Sequence, residues 1–396
     1  MNLHSDTDGI IWITIGSDAI PLLYDAGLIR SEPEFLALDR HRHSTVISTT
    51  SSDLEKIDQI LHAVKGIGGY TVHSSEAEAI AYNEKMESPR ETSRIARYYT
   101  IDNAQVANYL ANSIIQYNLV KTINELSTSF KTRYYSTNDG KRASEWLKTR
   151  WRAITLQRED IDVDAFEHDP TVSPQPSVVA TIEGNAERNS VVILGAHIDS
   201  TARGDLAPGM DDNASGVSIL TELLRVIVQT GYKPDKTILV IGYAAEEVGL
   251  RGSRDIASFY AKLQDVGEYS KEIVGALNLD MSCYYGSKED IYIIDDYTDP
   301  AQNQFLANLI TTYLKDLTFG FTTCGYACSD HSSWYAENVP ASFAFESRFH
   351  DLNPKFHTSY DNRCDKNHIL KFARLAAVYV AELAKGKLSL TKGKYN

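Results

Sequence analysis

The sequence predicts an α/β protein with a mixed, mostly parallel central sheet covered by helices on both faces, preceded by a small α/β unit. Three observations predict it. The run Val191–Leu194 is too uniformly apolar to face water on either side, as in sheets covered twice, and Thr237–Tyr243 and Ile273–Leu279 read as further buried strands. Segments of helical periodicity alternate with such runs over about 300 residues, the pattern of one α/β domain. A charged stretch, Lys85–Arg97, with Pro89, Arg90, Arg94 and Arg97, reads as an exposed linker. It sets the boundary between residues 1–90 and 91–396.

In the first unit, Ile10–Ile15 is a β-branched strand, followed by a turn of helix through Leu22–Leu23. Thr45–Thr50 is a second strand. Leu54, Ile57, Ile60, Leu61 and Val64 fall at helical spacing within Asp53–Val64, and Ser52 is placed to cap that helix. Gly66–Gly69 turns into a strand at Tyr70–Val72. In the second unit, Val106–Val120 and Ala143–Trp151 are helical and Val178–Ile182 is a strand. Leu220, Leu223, Leu224, Ile227 and Val228 share one helical face that Gly231 ends. Asp299-Pro300 opens another helix with cap and first-turn proline in the favoured order. Ile369, Phe372, Leu375, Ala376, Tyr379 and Leu383 stripe the last helix.

The 396 residues carry 39 Lys+Arg against 53 Asp+Glu, a net charge of −14, and 43% are hydrophobic. Such a chain buries a sizeable core. Its acidity argues against nucleic acid, whose partners need basic patches, and against binding at anionic membranes. No apolar run nears the ~20 residues of a spanning helix. Met1–Asp6 lacks the features of a secretory signal, so either the protein stays inside or a signal has been removed. Of four cysteines, Cys324 and Cys328 are close enough for a small closed loop, which would suit an oxidising compartment; four thiols equally suit the cytosol.

In open α/β sheets, ligand groups lie past the carboxyl ends of the strands. Here Val191–Ala196 leads into His197-Ile198-Asp199, Thr237–Ala245 into Glu246-Glu247, and Ala276–Leu279 into Asp280. Asp211-Asp212-Asn213 precedes a helix in a Gly-rich loop. Singly, each reads as a structural histidine, a cap or a solvated pair. Together they converge on one sheet edge, where clustered carboxylates without a cation would pay heavily in repulsion and desolvation. Carboxylate and imidazole without thiolate suit catalytic zinc or a similar metal. Asp199, two residues after His197, could hold the second imidazole nitrogen. His41-Arg42-His43 lacks acidic neighbours and reads as a surface loop.

Gly195-Ala196-His197-Ile198-Asp199-Ser200-Thr201, Pro208–Gly216, Ala245–Ser253, Asn278-Leu279-Asp280-Met281, Cys324–His331 and Phe345–Phe349 with Phe356-His357-Thr358 resemble, in order and spacing, the secreted bacterial leucyl aminopeptidases with co-catalytic zinc. The resemblance covers about residues 98–385, and six ordered motifs make it specific. It implies two zinc ions bridged by Asp212, with His197 and Asp280 completing one site and Glu247 and His357 the other. Glu246 would be the general base, and the Tyr326 hydroxyl would help stabilise the oxyanion. Met210 and Asn213 depart from the common pattern, but neither is a ligand. Two Zn²⁺ bring +4 against −3 from Asp212, Glu247 and Asp280, so one bridging hydroxide, the expected nucleophile, would neutralise the centre.

Met281, Ile294, Phe343, Phe345, Phe349 and Phe356 match the family's first side-chain pocket, which implies a preference for apolar N-terminal residues such as Leu. The expected protein is a monomeric, secreted aminopeptidase acting on peptides, with Cys324–Cys328 as a disulfide bracing Tyr326. Residues 1–90 would be a propeptide that assists folding and masks the site. The alternatives are a carboxypeptidase, for which Arg348 is the candidate carboxylate anchor, a single-zinc aminoacyl cyclase on the same fold, or a catalytically dead binding module. His331, in Ser-Asp-His, could suggest a hydrolase triad, but the resemblance favours a structural role.

Overall fold

The computed structural model of the chain describes residues 10–29, 44–61, 69–87, 99–202, 204–264 and 271–389. The loop His41–His43 and most of the expected linker lie outside them. Two compact units are formed, Met1–Thr92 with Cys324–Cys328, and Ser93–Thr323 with Ser329–Asn396.

In the first unit, β1 (Ile10–Gly16) lies between β2 (Ser44–Thr50) and β3 (Tyr70–His73), antiparallel to both. Period-2 alternation sends Ile13 and Ile15 to one face, where they pack with Leu23, Ile57 and Leu61. The helix expected from Asp53 runs Ser51–Leu61, so Ser52 lies inside it and is not its cap. Instead the Thr50 hydroxyl donates to the Asp53 carboxylate at 2.9 Å.

A further helix, Glu76–Glu87, takes in the start of the expected linker. It buries Ala79, Tyr82, Asn83 and Met86 at helical spacing, a stripe that small and polar residues hide from a hydropathy reading. The Ser44 hydroxyl, 2.6 Å from Asn83 Oδ1, ties it to β2. Cys324 and Cys328 are disulfide-bonded. A Cβ added to Gly69 would come within 3.0 Å of the Tyr326 ring between them, so only glycine admits that ring, and at φ +50°.

The second unit is built on eight strands: β4 (Ile161–Phe166), β5 (Ser177–Ile182), β6 (Glu187–His197), β8 (Lys236–Tyr243), β9 (Glu272–Leu279), β10 (Ile291–Ile294), β11 (Phe319–Thr322) and β12 (Ala341–Phe345). Their order is β11-β10-β12-β9-β6-β8-β5-β4. The central four, β12, β9, β6 and β8, are mutually parallel; outside them β10 joins β12, β5 joins β8 and β4 joins β5 antiparallel, and β11 pairs parallel to β10. Two short strands, β7 (Tyr232–Lys233) and β13 (Lys387–Leu388), pair separately.

Both sheet faces are covered. Val192, Leu194 and Val240 pack on the side of helices Ala214–Gln229 and Lys366–Leu383. The alternate residues Val191, Ile193, Leu239 and Ile241 pack against Ile256 and Ala257 of helix Arg251–Gln264 and against Trp334. The chain leaves β6 for β8 on one side and returns to β9 on the other. Strand β6 is therefore the switch point, and a crevice opens beyond its carboxyl end.

The expected helix Val106–Val120 is two helices, Ala104–Asn112 and Gln116–Ser129. Buried Glu222 accepts the Ile115 N–H at 2.7 Å, and Arg225 donates to the Ser113 carbonyl at 2.8 Å. Tertiary partners thus stabilise a break that periodicity does not show. Cys283 and Cys364, unassigned from sequence, form a second disulfide across 81 positions; a loop of that size is worth about 4–5 kcal/mol in the chain-entropy account. No described helix is long and apolar enough to cross a membrane.

Candidate metal centre

Ligand-type side chains stand at the carboxyl ends of three adjacent parallel strands. His197 closes β6, Asp280 follows β9 directly, and Glu246-Glu247 stand at the turn after β8. Asp212 comes from the loop before helix Ala214–Gln229, whose cap is the Asn213 side chain accepting from Gly216 N. A Cβ on Gly216 would lie 2.2 Å from the Leu279 carbonyl, so glycine permits this helix start to sit against the end of β9. His357 comes from the loop beyond β12.

The side chains form two sets that share Asp212. Its Oδ1 lies 3.1 Å from His197 Nε2, which is 3.2 Å from Asp280 Oδ1. Its Oδ2 lies 2.8 Å from His357 Nε2, which is 2.8 Å from Glu247 Oε2. Donor atoms of His197, Asp212 and Glu247 all fall within 4.8 Å of one another. Ligand atoms on tetrahedral zinc with bonds of about 2.0–2.1 Å sit about 3.3 Å apart. Small outward movements would therefore convert either set into a coordination shell, and the donor set fits zinc.

The remaining atoms of these side chains are held from behind. Thr201 N donates to Glu247 Oε1 at 3.1 Å, and the Ser329 hydroxyl donates to Asp280 Oδ2 at 2.8 Å. The Asp199 carboxylate accepts Glu246 N at 3.1 Å and Glu247 N at 3.2 Å. Asp199 also stands behind His197, with its carbonyl oxygen 3.2 Å and its carboxylate 3.5 Å from Nδ1. Ala245 (φ 55°), Met281 (φ 49°) and His357 (φ 53°) are left-handed non-glycine residues at or beside these positions. Such conformations cost energy and collect where a site demands them.

Electrostatics show a centre short of positive charge. Desolvation, offset by His197 and reinforced by Asp330, Glu247 and Asp280, leaves Glu246 well above the usual carboxylate range. Burial and the charge of Asp212 push Glu247 up to about 7. Burial disfavours the charged forms of His197 and His357, yet the surrounding carboxylates hold both well above their ordinary values. A bound cation would relieve the same crowding of carboxylates.

Met281, Ile294, Phe343, Phe345 and Phe349 are buried and Phe356 is half-buried. Ile294 and Phe343 are register partners, and Phe343, Phe345 and Phe349 form a chain of ring contacts at 5.4 and 5.7 Å. Phe356 lies against His357 at 4.4 Å. His331 is buried with its ring 5.0 Å from that of Phe343, and neither ring nitrogen has a hydrogen-bond partner among the described residues, so it has no triad geometry. Arg348 is exposed. Tyr326 groups with the N-terminal unit.

Sequence reasoning missed several supports. The buried guanidinium of Arg133 donates to the carbonyls of Ile198 (2.8 Å), Pro208 (2.6 Å) and Gly209 (2.8 Å), joining the loop after His197 to the loop before Asp212. Burial lowers its pKa to about 10, against the pull of Asp361, Asp212, Asp199 and Glu247. Asp361 accepts Asp211 N and Asp212 N. His168 lies 2.7 Å from Asp255 Oδ2 and 2.8 Å from Ser177 Oγ. That serine is buried and accepts Ala244 N at 2.9 Å, so the trio braces the approach to Glu246 and offers no nucleophile. Isolated polar residues in unrelated loops leave no spacing signal.

Fold and site together define an α/β protein with a carboxylate–imidazole metal-type centre at the switch point of its sheet. Residues 177–380 match Peptidase family M28. A probable aminopeptidase of Saccharomyces cerevisiae is 32% identical over 297 residues, 72% of this chain and 77% of its own. Leucine aminopeptidase 1 of Sclerotinia sclerotiorum is 36% identical over 287 residues, 67% of this chain and 70% of its own. The crystal structure of LapB from Legionella pneumophila aligns with a TM-score of 0.79 at 26% identity, covering 96% of this chain and 100% of that one. The chain belongs to peptidase family M28 and is a peptide hydrolase.

Proposed function

We propose that the protein is a zinc aminopeptidase that binds two Zn²⁺ and releases apolar N-terminal residues from peptides. The observation that carries this is the position of Asp212, with one carboxylate oxygen in each donor set. His197 and Asp280 would hold one ion, Glu247 and His357 the other, and Asp212 both. Bound there, the ions would supply Lewis acidity toward the scissile carbonyl and the attacking water. Glu246, outside both donor sets and with raised proton affinity, takes the proton from that water and passes it to the leaving amine. The Tyr326 hydroxyl would donate to the developing oxyanion. Phe343, Phe345, Phe349, Phe356, Met281 and Ile294 would receive the apolar side chain.

The names of the aminopeptidase relatives favour this over a carboxypeptidase, and exposed Arg348 is poorly placed to anchor a buried carboxylate. Five ligands and a free base argue against a single-zinc cyclase or an inert module. Two disulfides support a secreted protein, which we take to be a monomer with residues 1–90 as its propeptide. The test is zinc content together with turnover of Leu-p-nitroanilide, of its N-acetylated form and of an N-terminal glutaminyl peptide. Cleavage of the first alone, with zinc present, supports the proposal. Cyclisation of the third, or no turnover by zinc-loaded protein after cleavage between residues 88 and 97, overturns it.

A further inference from the structure

Cys283 occupies a junction of three loops that carry proposed ligands. It lies three residues after Asp280 and is buried. Its N–H donates to Asp211 Oδ1 at 2.9 Å, beside Asp212. Its carbonyl accepts Asp365 N at 2.9 Å, and its sulfur is bonded to Cys364, seven residues after His357. Between His357 and Cys364, Asp361 accepts Asp211 N (3.2 Å) and Asp212 N (3.0 Å), while its own carbonyl accepts Met210 N at 3.0 Å.

The junction is crowded with acid. Asp211, Asp361 and Glu346 are all buried there, and Asn353 Nδ2 is placed between Asp211 Oδ2 (2.9 Å) and Asp361 Oδ1 (3.4 Å). Hydrogen bonds among these groups tie the three loops together, and the disulfide adds one covalent bond between the loop after Asp280 and the loop after His357.

Resting on the two-zinc reading above, we propose that the Cys283–Cys364 disulfide is a positioning element of the metal centre. It holds the Asp280 and His357 arms at the separation zinc requires and keeps Asp212 between them. Groups that orient ligands typically set metal affinity by about 10–100-fold.

The experiment compares the full-length protein with its Cys283→Ala/Cys364→Ala variant, alanine leaving no thiol to bind metal. Zinc affinity is read by competition with a chromophoric chelator, and melting temperature is read without metal. The expected result is zinc affinity lower by about tenfold or more, with activity recovering as free zinc is raised. Unchanged affinity with only a lower melting temperature would overturn the proposal, leaving a chain-stabilising crosslink. If the variant does not fold, native protein treated with a phosphine and alkylated gives the same comparison. Zinc release that tracks alkylation of Cys283 and Cys364 supports the proposal, and retention of zinc by the alkylated protein overturns it. Untreated protein that binds no zinc would overturn the metal reading itself, a result distinct from equal loading of both forms.

Discussion

The carboxylate of Asp199 holds the main chain of Glu246: Oδ1 accepts the Glu246 N–H at 3.1 Å, while Oδ2 takes the next N–H, that of Glu247. One side chain behind His197 therefore also orients the proposed base. Asp199→Ala should lower kcat by about 10–100-fold, with a smaller fall in zinc affinity. Kinetics paired with zinc titration checks this. An unchanged kcat would show that Glu246 is placed by other contacts.

Glu246→Ala should lose turnover by about 10²–10⁴-fold while retaining zinc, because the base is not a ligand. Metal content measured on the same sample decides the assignment. Loss of zinc in proportion to activity would make Glu246 a ligand.

Acid should destabilise the fold through His368. Burial and Lys371 lower its pKa to about 4, below the ordinary histidine value. Between about pH 6.5 and 4 the unfolded chain binds the proton and the folded one does not. Stability from this group is thus full above about 6.5 and falls by up to about 1.4 kcal/mol per pH unit as pH drops through that window. His368→Asn should flatten the pH dependence of denaturant midpoints there, and an unaltered slope would count against it.

Limited proteolysis between residues 88 and 97 should raise activity at constant zinc content if residues 1–90 are an inhibitory propeptide. Equal specific activity of intact and cut protein would leave that segment at most a role in folding.

Much of this was legible in the sequence because strand ends and ligands coincide. Continuous apolar runs announce β6, β8 and β9, and the next polar residues are His197, Glu246-Glu247 and Asp280. The supports were not legible. Arg133 acts through three carbonyls, and Asp361 through two N–H groups 149 and 150 positions away. The Ser113–Ile115 break depends on Glu222 and Arg225, which no local pattern links to it. The Cys283–Cys364 pairing needed the loops to be placed first.

The central claim is that Asp212 joins two metal sites, and zinc stoichiometry in Asp212→Asn tests it most directly. The unaltered protein should bind two zinc ions per chain, and the variant should lose affinity at both sites, since a neutral amide is a poor bridge between cations. Two zinc ions retained in the variant with unchanged affinity, or a single ion in the unaltered protein, would contradict it.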